Sequence, residues 1–236
     1  MITLLIPKIS SDLEATPMQI TIIVISYTLF KSLAMIILGN YYARSFSRIL
    51  PMSFLLQGIS SFLYFYAFSW EHILIIRLSQ GIWSGIAWLS AQTLLASGSE
   101  KESLGKHFGI FYGASNFGFI SGSALSGAFF KILDQYAMTF AFIAILYFVS
   151  TLISLFIKAD TKPIAQPEIR KNIRKNYRLL LISMTHNGSV AFLNSIILIF
   201  AYEYLGFSVT SMAGIVMAAG VFGVLSRPVA GYLSDR

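Results

Sequence analysis

The apolar residues of this chain fall in long uninterrupted blocks of about 20, separated by short polar connectors. A helical block of that length rises about 30 Å, the thickness of the hydrocarbon layer of a bilayer. A membrane-spanning strand would instead alternate apolar and polar positions with period two, and the blocks show no such alternation. Composition agrees: 56% of the 236 residues are apolar and 11% are charged, where a soluble domain carries about 25% charged residues. The chain therefore reads as an all-α polytopic membrane protein.

Spans are expected at 18–39, 49–68, 73–97, 106–130, 136–157, 179–202 and 209–230, with residues 1–7 as the tail of one more helix. Counting that tail as the first helix gives eight. The connectors are short except for the segment from Lys158 to Arg178, which holds Pro163, Pro167 and seven basic residues. It divides the chain into a first membrane half (1–157), a basic linker (158–178) and the start of a second half (179–236). The first helix lacks most of a span and the chain stops just after the eighth. This predicts a fragment of a longer protein or a truncated gene product, the alternative being a seven-helix protein with a short N-terminal tail.

Charge sets the orientation. Connectors after the even-numbered helices carry Arg44, Arg48, Lys101, Lys106, the seven cations of the linker and Arg236. Connectors after the odd-numbered helices carry only Lys8 and Lys131. Excess Lys and Arg marks the cytoplasmic side, so this basic end, the linker included, is expected in the cytoplasm of a multi-pass cell-membrane protein. The net charge of +7 is explained by that asymmetry and implies no nucleic-acid partner. Cysteine is absent, which removes disulfides, thiolate metal sites and thiol nucleophiles. The first apolar run, Met1 to Ile6, is too short for a cleavable leader. No HExxH, phosphate-binding glycine loop or plausible Ser-His-Asp set is present, so neither an enzyme nor a cofactor is implied.

Four segments carry a family resemblance. "LIPKISSDLEAT" (Leu5–Thr16) precedes the second helix. "GNYYARSFSR" (Gly39–Arg48) follows it, with Gly39, Arg44 and Arg48 matching a Gly-x-x-x-Asp-Arg pattern, Ala43 at the aspartate position and Phe46 at the usual second glycine. "RLSQGIWSG" (Arg77–Gly85) fits Arg-x-x-Gln-Gly in the fourth helix. "GYLSDR" (Gly231–Arg236) matches Gly-x-x-x-Asp-Arg in full, at Gly231, Asp235 and Arg236. The Gly-x-x-x-Asp-Arg positions recur six helices apart, the interval expected of two six-helix repeats. In this set the chain resembles the major facilitator superfamily. The resemblance implies secondary active transport of a small-molecule solute across the lipid bilayer by alternating access. The motif set is most similar to exporters, which implies efflux; protons are the candidate coupling ion, although no span holds an Asp or Glu near its middle to carry them. It also implies that the aspartate of the loop motif latches the two halves when the cytoplasmic side is closed. Competing readings are uptake of a metabolite or organic anion, and a non-transporting scaffold, sensor or non-functional fragment.

Candidate site residues follow from polar groups inside apolar spans, which are costly unless paired or facing water. Arg77, Gln80, Ser84 and Trp88 share one face of the fourth helix, and Ser183, Asn187 and Asn194 share one of the seventh with His186 beside it. These faces are expected to line a cavity or to glue helices together. Arg77 lies near a helix end, so snorkelling to the interface is the competing reading. Lys31, deep in the second span, is expected to titrate, pair with a carboxylate or hold an anion, or else to reach the interface along its stem. In "GFISGSALSG" (Gly118–Gly127), Gly118, Gly122, Ser126 and Gly127 resemble an antiporter-associated glycine motif with Ser123 in place of its proline. Close helix packing through this small-residue stripe is the favoured reading. A lone His186 makes no metal site.

Overall fold

A computed structural model of the chain describes residues 2–39, 46–133, 136–157, 177, 181–182, 185, 189, 193, 196–197 and 200–235. Among the described residues every regular element is helical. They are α1 (Ile2–Asp12), α2 (Pro17–Gly39), α3 (Phe46–Phe62, continued by a 3₁₀ turn Leu63–Tyr66), α4 (Trp70–Gly98), α5 (Leu104–Leu133), α6 (Tyr136–Leu155) and α7 (Val209–Ser234). The first six match the first six expected helices, and α7 matches the eighth. The described residues of the expected seventh span are helical. The segment 158–176 lies outside the described residues.

The ends of several helices differ from the sequence reading, and each difference has a tertiary cause. α1 runs to Asp12 instead of stopping at Pro7, because Ile9 continues the buried stripe begun by Leu5 and Ile6. An i,i+4 ion pair, Lys8 Nζ to Asp12 Oδ1 at 2.7 Å, supports the added turn. α3 begins at Phe46 because Phe46 and Leu50 pack with Ala87 and Leu94 of α4. α7 runs on to Ser234 because its last turn is held against α5. Local signals set other boundaries. Thr16 and Gln19 form a capping box at the start of α2: the Gln19 carbonyl oxygen accepts from Thr16 N–H at 2.7 Å, and Thr16 Oγ1 accepts from Gln19 N–H at 3.4 Å. Gly206 turns the chain before α7 with φ of +64°. Ser208 Oγ then caps α7 by accepting from Ser211 N–H at 3.1 Å.

Among the described residues, five helices are long and apolar enough to cross a membrane: Pro17–Gly39, Phe46–Tyr66, Trp70–Gly98, Met138–Leu155 and Thr210–Ser234. On α2, Ile22, Ile25, Leu29, Leu33 and Ile36 stay exposed at helical spacing and form an apolar stripe. α5 is long enough at 30 residues, yet its many Gly and Ser residues leave it outside this group. Its composition suits contact with another helix better than contact with lipid.

α4 is the hub of the first bundle. It packs along α2 on one side and α3 on the other, and α3 packs in turn on α6. α1 caps this group through a core of Leu5, Ile6 and Ile9 against Ile23, Ile73 and Phe140. α5 leaves the group and makes its main contact with α7.

Two glycine seams permit these approaches. On α4, a Cβ at Gly81 would stand 2.6 Å from the Tyr27 carbonyl oxygen, and one at Gly85 would strike the Lys31 carbonyl oxygen. Between α5 and α7, a Cβ at Gly109 would stand 2.9 Å from the Arg227 carbonyl oxygen, one at Gly113 would stand 3.1 Å from Pro228, and one at Gly231 would strike the Gly105 carbonyl oxygen. With no hydrophobic drive between helices in lipid, such backbone proximity and the dispersion it allows hold the bundle together.

The close-packing expectation for Gly118 finds no partner among the described residues: a Cβ there would meet none of them within 4 Å. Gly118 and Gly122 border a cavity, and the packing glycines lie one to four turns earlier on α5. The side chain of Ser126 and the position of Gly127 in packing lie outside what is described. A substitution pair separates the two glycine classes. Gly231→Val should cost about 1–3 kcal/mol through overpacking and lower the thermal unfolding midpoint in detergent. Gly118→Ala should stabilise by about 0.5–1 kcal/mol and raise that midpoint, because the added methyl favours helix and meets none of the described residues.

Candidate functional site

Three residues of the expected α4 face carry chemistry into the bundle. Arg77 is 3% exposed and Gln80 is 3% exposed, so neither reaches an interface. Snorkelling of Arg77 does not occur. Its guanidinium lies over the Tyr27 ring of α2, with Cζ 4.2 Å from the ring centroid. The Gly81 seam brings α2 close enough for this stacking. Arg77 Nη1 donates a long hydrogen bond of 3.4 Å to Gln80 Oε1, and Arg77 Nε–H finds no partner among the described residues. Gln80 is fixed from two sides: Tyr64 Oη donates to its Oε1 at 3.0 Å, and its Nε2 donates to Ser61 Oγ at 3.1 Å. Ser84, one turn on, shares a 2.8 Å hydrogen bond with Tyr27 Oη.

Arg77 and Gln80 border a cavity of about 280 Å³ between α2–α4 on one side and α5 and α6 on the other. Gln57, Tyr147 and Ser150 extend its polar wall, and Phe119, Ile143 and Leu146 give it an apolar one. Tyr27, Gln57, Tyr147 and Ser150 were not singled out from the sequence. A signal for α3 existed: Gln57, Ser60, Ser61 and Tyr64 recur at helical spacing and are all buried. Ser84 and Trp88 do not border the cavity. They continue the same α4 face towards the basic end.

Among the described residues Lys31 makes no ion pair and meets an aromatic ring instead. Its Nζ lies 5.0 Å from the centroid of the Trp88 ring. Trp88 also packs on Phe111 and Tyr112 of α5, at 5.4 and 5.9 Å between centroids. Tyr112 in turn accepts a 2.9 Å hydrogen bond at Oη from Gln92 Nε2 of α4, and its ring lies 5.9 Å from Arg227 Cζ of α7. A layer of aromatic rings flanked by two cations thus joins α2, α4, α5 and α7.

At the basic end, the Asp235 carboxylate accepts from Gly105 N–H at 2.7 Å and from Lys106 N–H at 2.6 Å. These are orphan donors of the first turn of α5, and a carboxylate there also meets the positive end of the helix dipole. Gly231, one turn earlier on α7, lets the two backbones close. At the opposite end, Tyr136 Oη donates to the Asp12 carboxylate, and Ser11 Oγ donates to Glu203 Oε1 at 3.2 Å. Gly39 borders open space, and Arg48 is exposed. Arg44, Ser183, His186, Asn187, Asn194 and Arg236 lie outside the described residues.

The Lys31–Trp88 contact predicts a measurable coupling. A double-mutant cycle of Lys31→Met and Trp88→Leu, read by thermal unfolding in detergent, should give about 0.5–2 kcal/mol. Additivity within error would show that the ammonium is solvated elsewhere.

No curated protein and no solved structure matches the chain. The family model of the Major Facilitator Superfamily matches residues 1–236. That match spans the first-half helices, the Arg77 face of α4 and the Gly231–Asp235 turn of α7. The chain accordingly belongs to the Major Facilitator Superfamily, as a multi-pass membrane protein of a family of solute transporters.

Proposed function

We propose that the chain carries out secondary active efflux of a small solute by alternating access, with protons as the coupling ion and the cell membrane as its site. Residues 1–157 form the first half, 158–178 a cytoplasmic linker and 179–236 the start of the second half. The basic end faces the cytoplasm. The observation that carries this reading is the Asp235 carboxylate seated on the first turn of α5. It ties a helix of the second half to one of the first, at the end where a cytoplasmic gate belongs, through two bonds that water can replace.

Arg77, Gln80 and the cavity beside them are the proposed solute site, with Lys31, Ser84 and Trp88 beneath it on the cytoplasmic side. Ser183, His186, Asn187 and Asn194 are proposed to face it from the second half. Gly39, Arg44 and Arg48 are the counterpart of the Asp235 turn. Ala43 replaces the aspartate there, so this second latch lacks its carboxylate and the Asp235 latch bears most of the closing free energy.

A surface-exposed latch of two charge-assisted hydrogen bonds is worth about 1 kcal/mol or somewhat more. That shifts a balanced two-state equilibrium several-fold. Expression should lower the steady-state accumulation of the transported solute in intact cells. Asp235→Asn should remove most of that effect at equal protein level. A cysteine at Lys106 should become several-fold more reactive in the same variant. Raised accumulation on expression would contradict efflux. Unchanged accumulation and reactivity in Asp235→Asn would show that the carboxylate is no gate.

A further inference from the structure

α7 carries Pro228 inside the helix. Proline has no amide hydrogen, so the carbonyl one turn back, that of Val224, loses its intrahelical donor, and the ring crowds the same carbonyl. The backbone of α7 is therefore weak between Val224 and Pro228. That weakness is set by covalent structure, whatever packs around the helix. Bends beyond about 20° in helices nearly always trace to such a position. The facing helix is shaped to it. A Cβ at Gly113 of α5 would stand 3.1 Å from the Pro228 ring and 3.6 Å from the Val224 carbonyl oxygen. Gly113 thus leaves room for both the ring and the freed carbonyl.

α5 and α7 are held differently on the two sides of this point. Towards the membrane centre the contact interlocks. Ile120 fills the notch at Gly220 and Asn116 fills the one at Gly223, each so closely that a Cβ on the glycine would strike the side chain. Arg227 adds a hold beside the proline: its Nη1 donates to the Tyr112 carbonyl oxygen at 3.5 Å, and its Cζ lies 5.9 Å from the centroid of the Tyr112 ring. Parting the helices here means drawing side chains out of their notches. Towards the basic end the contact is smooth. Gly105 and Gly109 face Gly231 backbone to backbone, and Asp235 accepts its two bonds at the end of the helix. Facing backbones separate without unthreading, and water can take over both bonds.

We propose that α7 hinges at Pro228: the helix up to Arg227 stays locked on α5, while residues 229–235 swing away and open the Asp235 contact. The proposal rests on the reading of Asp235 as a cytoplasmic latch and says how that latch opens. About 10 Å of helix separates Pro228 from Asp235. A swing of about 20° over that lever carries the carboxylate about 3–4 Å. That breaks bonds of 2.7 and 2.6 Å. The basic end then opens without disturbing the aromatic layer or the interlocked part of the seam.

Spin labels on paired cysteines test this by dipolar distance measurement on the full chain in detergent, since the chain has no cysteine of its own. One pair, at Lys106 and Ser234, spans the latch. The other, at Phe117 and Val221, spans the seam on the far side of Pro228. Asp235→Asn should populate a component about 3 Å longer in the first pair and leave the second pair unchanged. Adding Pro228→Ala, which returns an amide donor to Val224, should reduce that component by about threefold or more. Lengthening of both pairs would overturn the hinge in favour of rigid separation and leave the latch reading standing. A change in neither pair would overturn the latch reading and the hinge together. A long component undiminished by Pro228→Ala would place the bend elsewhere and overturn the proposal. The two distances in Asp235→Asn decide the matter even if the Pro228 variant fails to fold.

Discussion

A carboxylate at the end of α7 closes the N-terminus of α5, 130 residues earlier in the chain. Every helix begins with backbone N–H groups that its own turns cannot satisfy. In a membrane protein those at the interface need water, a cap or a partner helix. Here Asp235 supplies the partner, and its two short bonds set where α7 ends and how near α5 can come. Gly105, Gly109 and Gly231 make the approach possible, because any side chain at those points would strike the facing backbone. The low apolarity of α5 follows from the same contact. A helix that spends its length against another helix needs no continuous lipid face.

The two glycine seams do different work. The α2–α4 seam lies beside the buried cluster of Arg77, Gln80, Tyr64 and Ser61, where breaking one bond strands a polar group in a medium of low dielectric. That seam is therefore the costlier of the two to open. The α5–α7 seam ends in an exposed carboxylate, and water can take over its bonds at small cost. Between them lies the layer of Trp88, Phe111 and Tyr112 with Lys31 and Arg227 at its edges. Cation–π contacts tolerate sliding better than directional hydrogen bonds do. Such a layer can stay joined while the ends of the helices part.

The spans were legible because lipid leaves few alternatives: a long apolar block must satisfy its backbone internally, so α2, α3, α4, α6 and α7 stand where composition put them. The recurrence of the Gly231–Asp235 pattern was legible too, although its partner on α5 was not, since nothing in "SLGKHFG" announces that a carboxylate will sit on two amides of its first turn. Arg77 illustrates the limit at a site. Its distance from the helix end fits snorkelling as well as burial, and only the Gly81 approach of α2, with Tyr27 stacked on the guanidinium, decides between them. The role of Gly118 was not legible for a related reason. A small-residue stripe is equally suited to touching a helix and to leaving a space, and the difference lies in what stands opposite.

The central claim is that α5 and α7 meet at the basic end through Asp235. The chain has no native cysteine, so cysteines placed at Lys106 and Ser234 report this contact directly. With a protease site inserted in the 158–178 segment, a short bifunctional thiol cross-linker should hold the two fragments together on a denaturing gel. Singly substituted chains should separate. A cysteine pair at Ser11 and Glu203, whose native side chains lie 3.2 Å apart across the same cleavage site, checks that the linker chemistry can join the two fragments. Efficient cross-linking of Lys106→Cys with Ser234→Cys is the predicted result. Its absence, with the control pair reacting fully, would contradict the placement of α7 on α5.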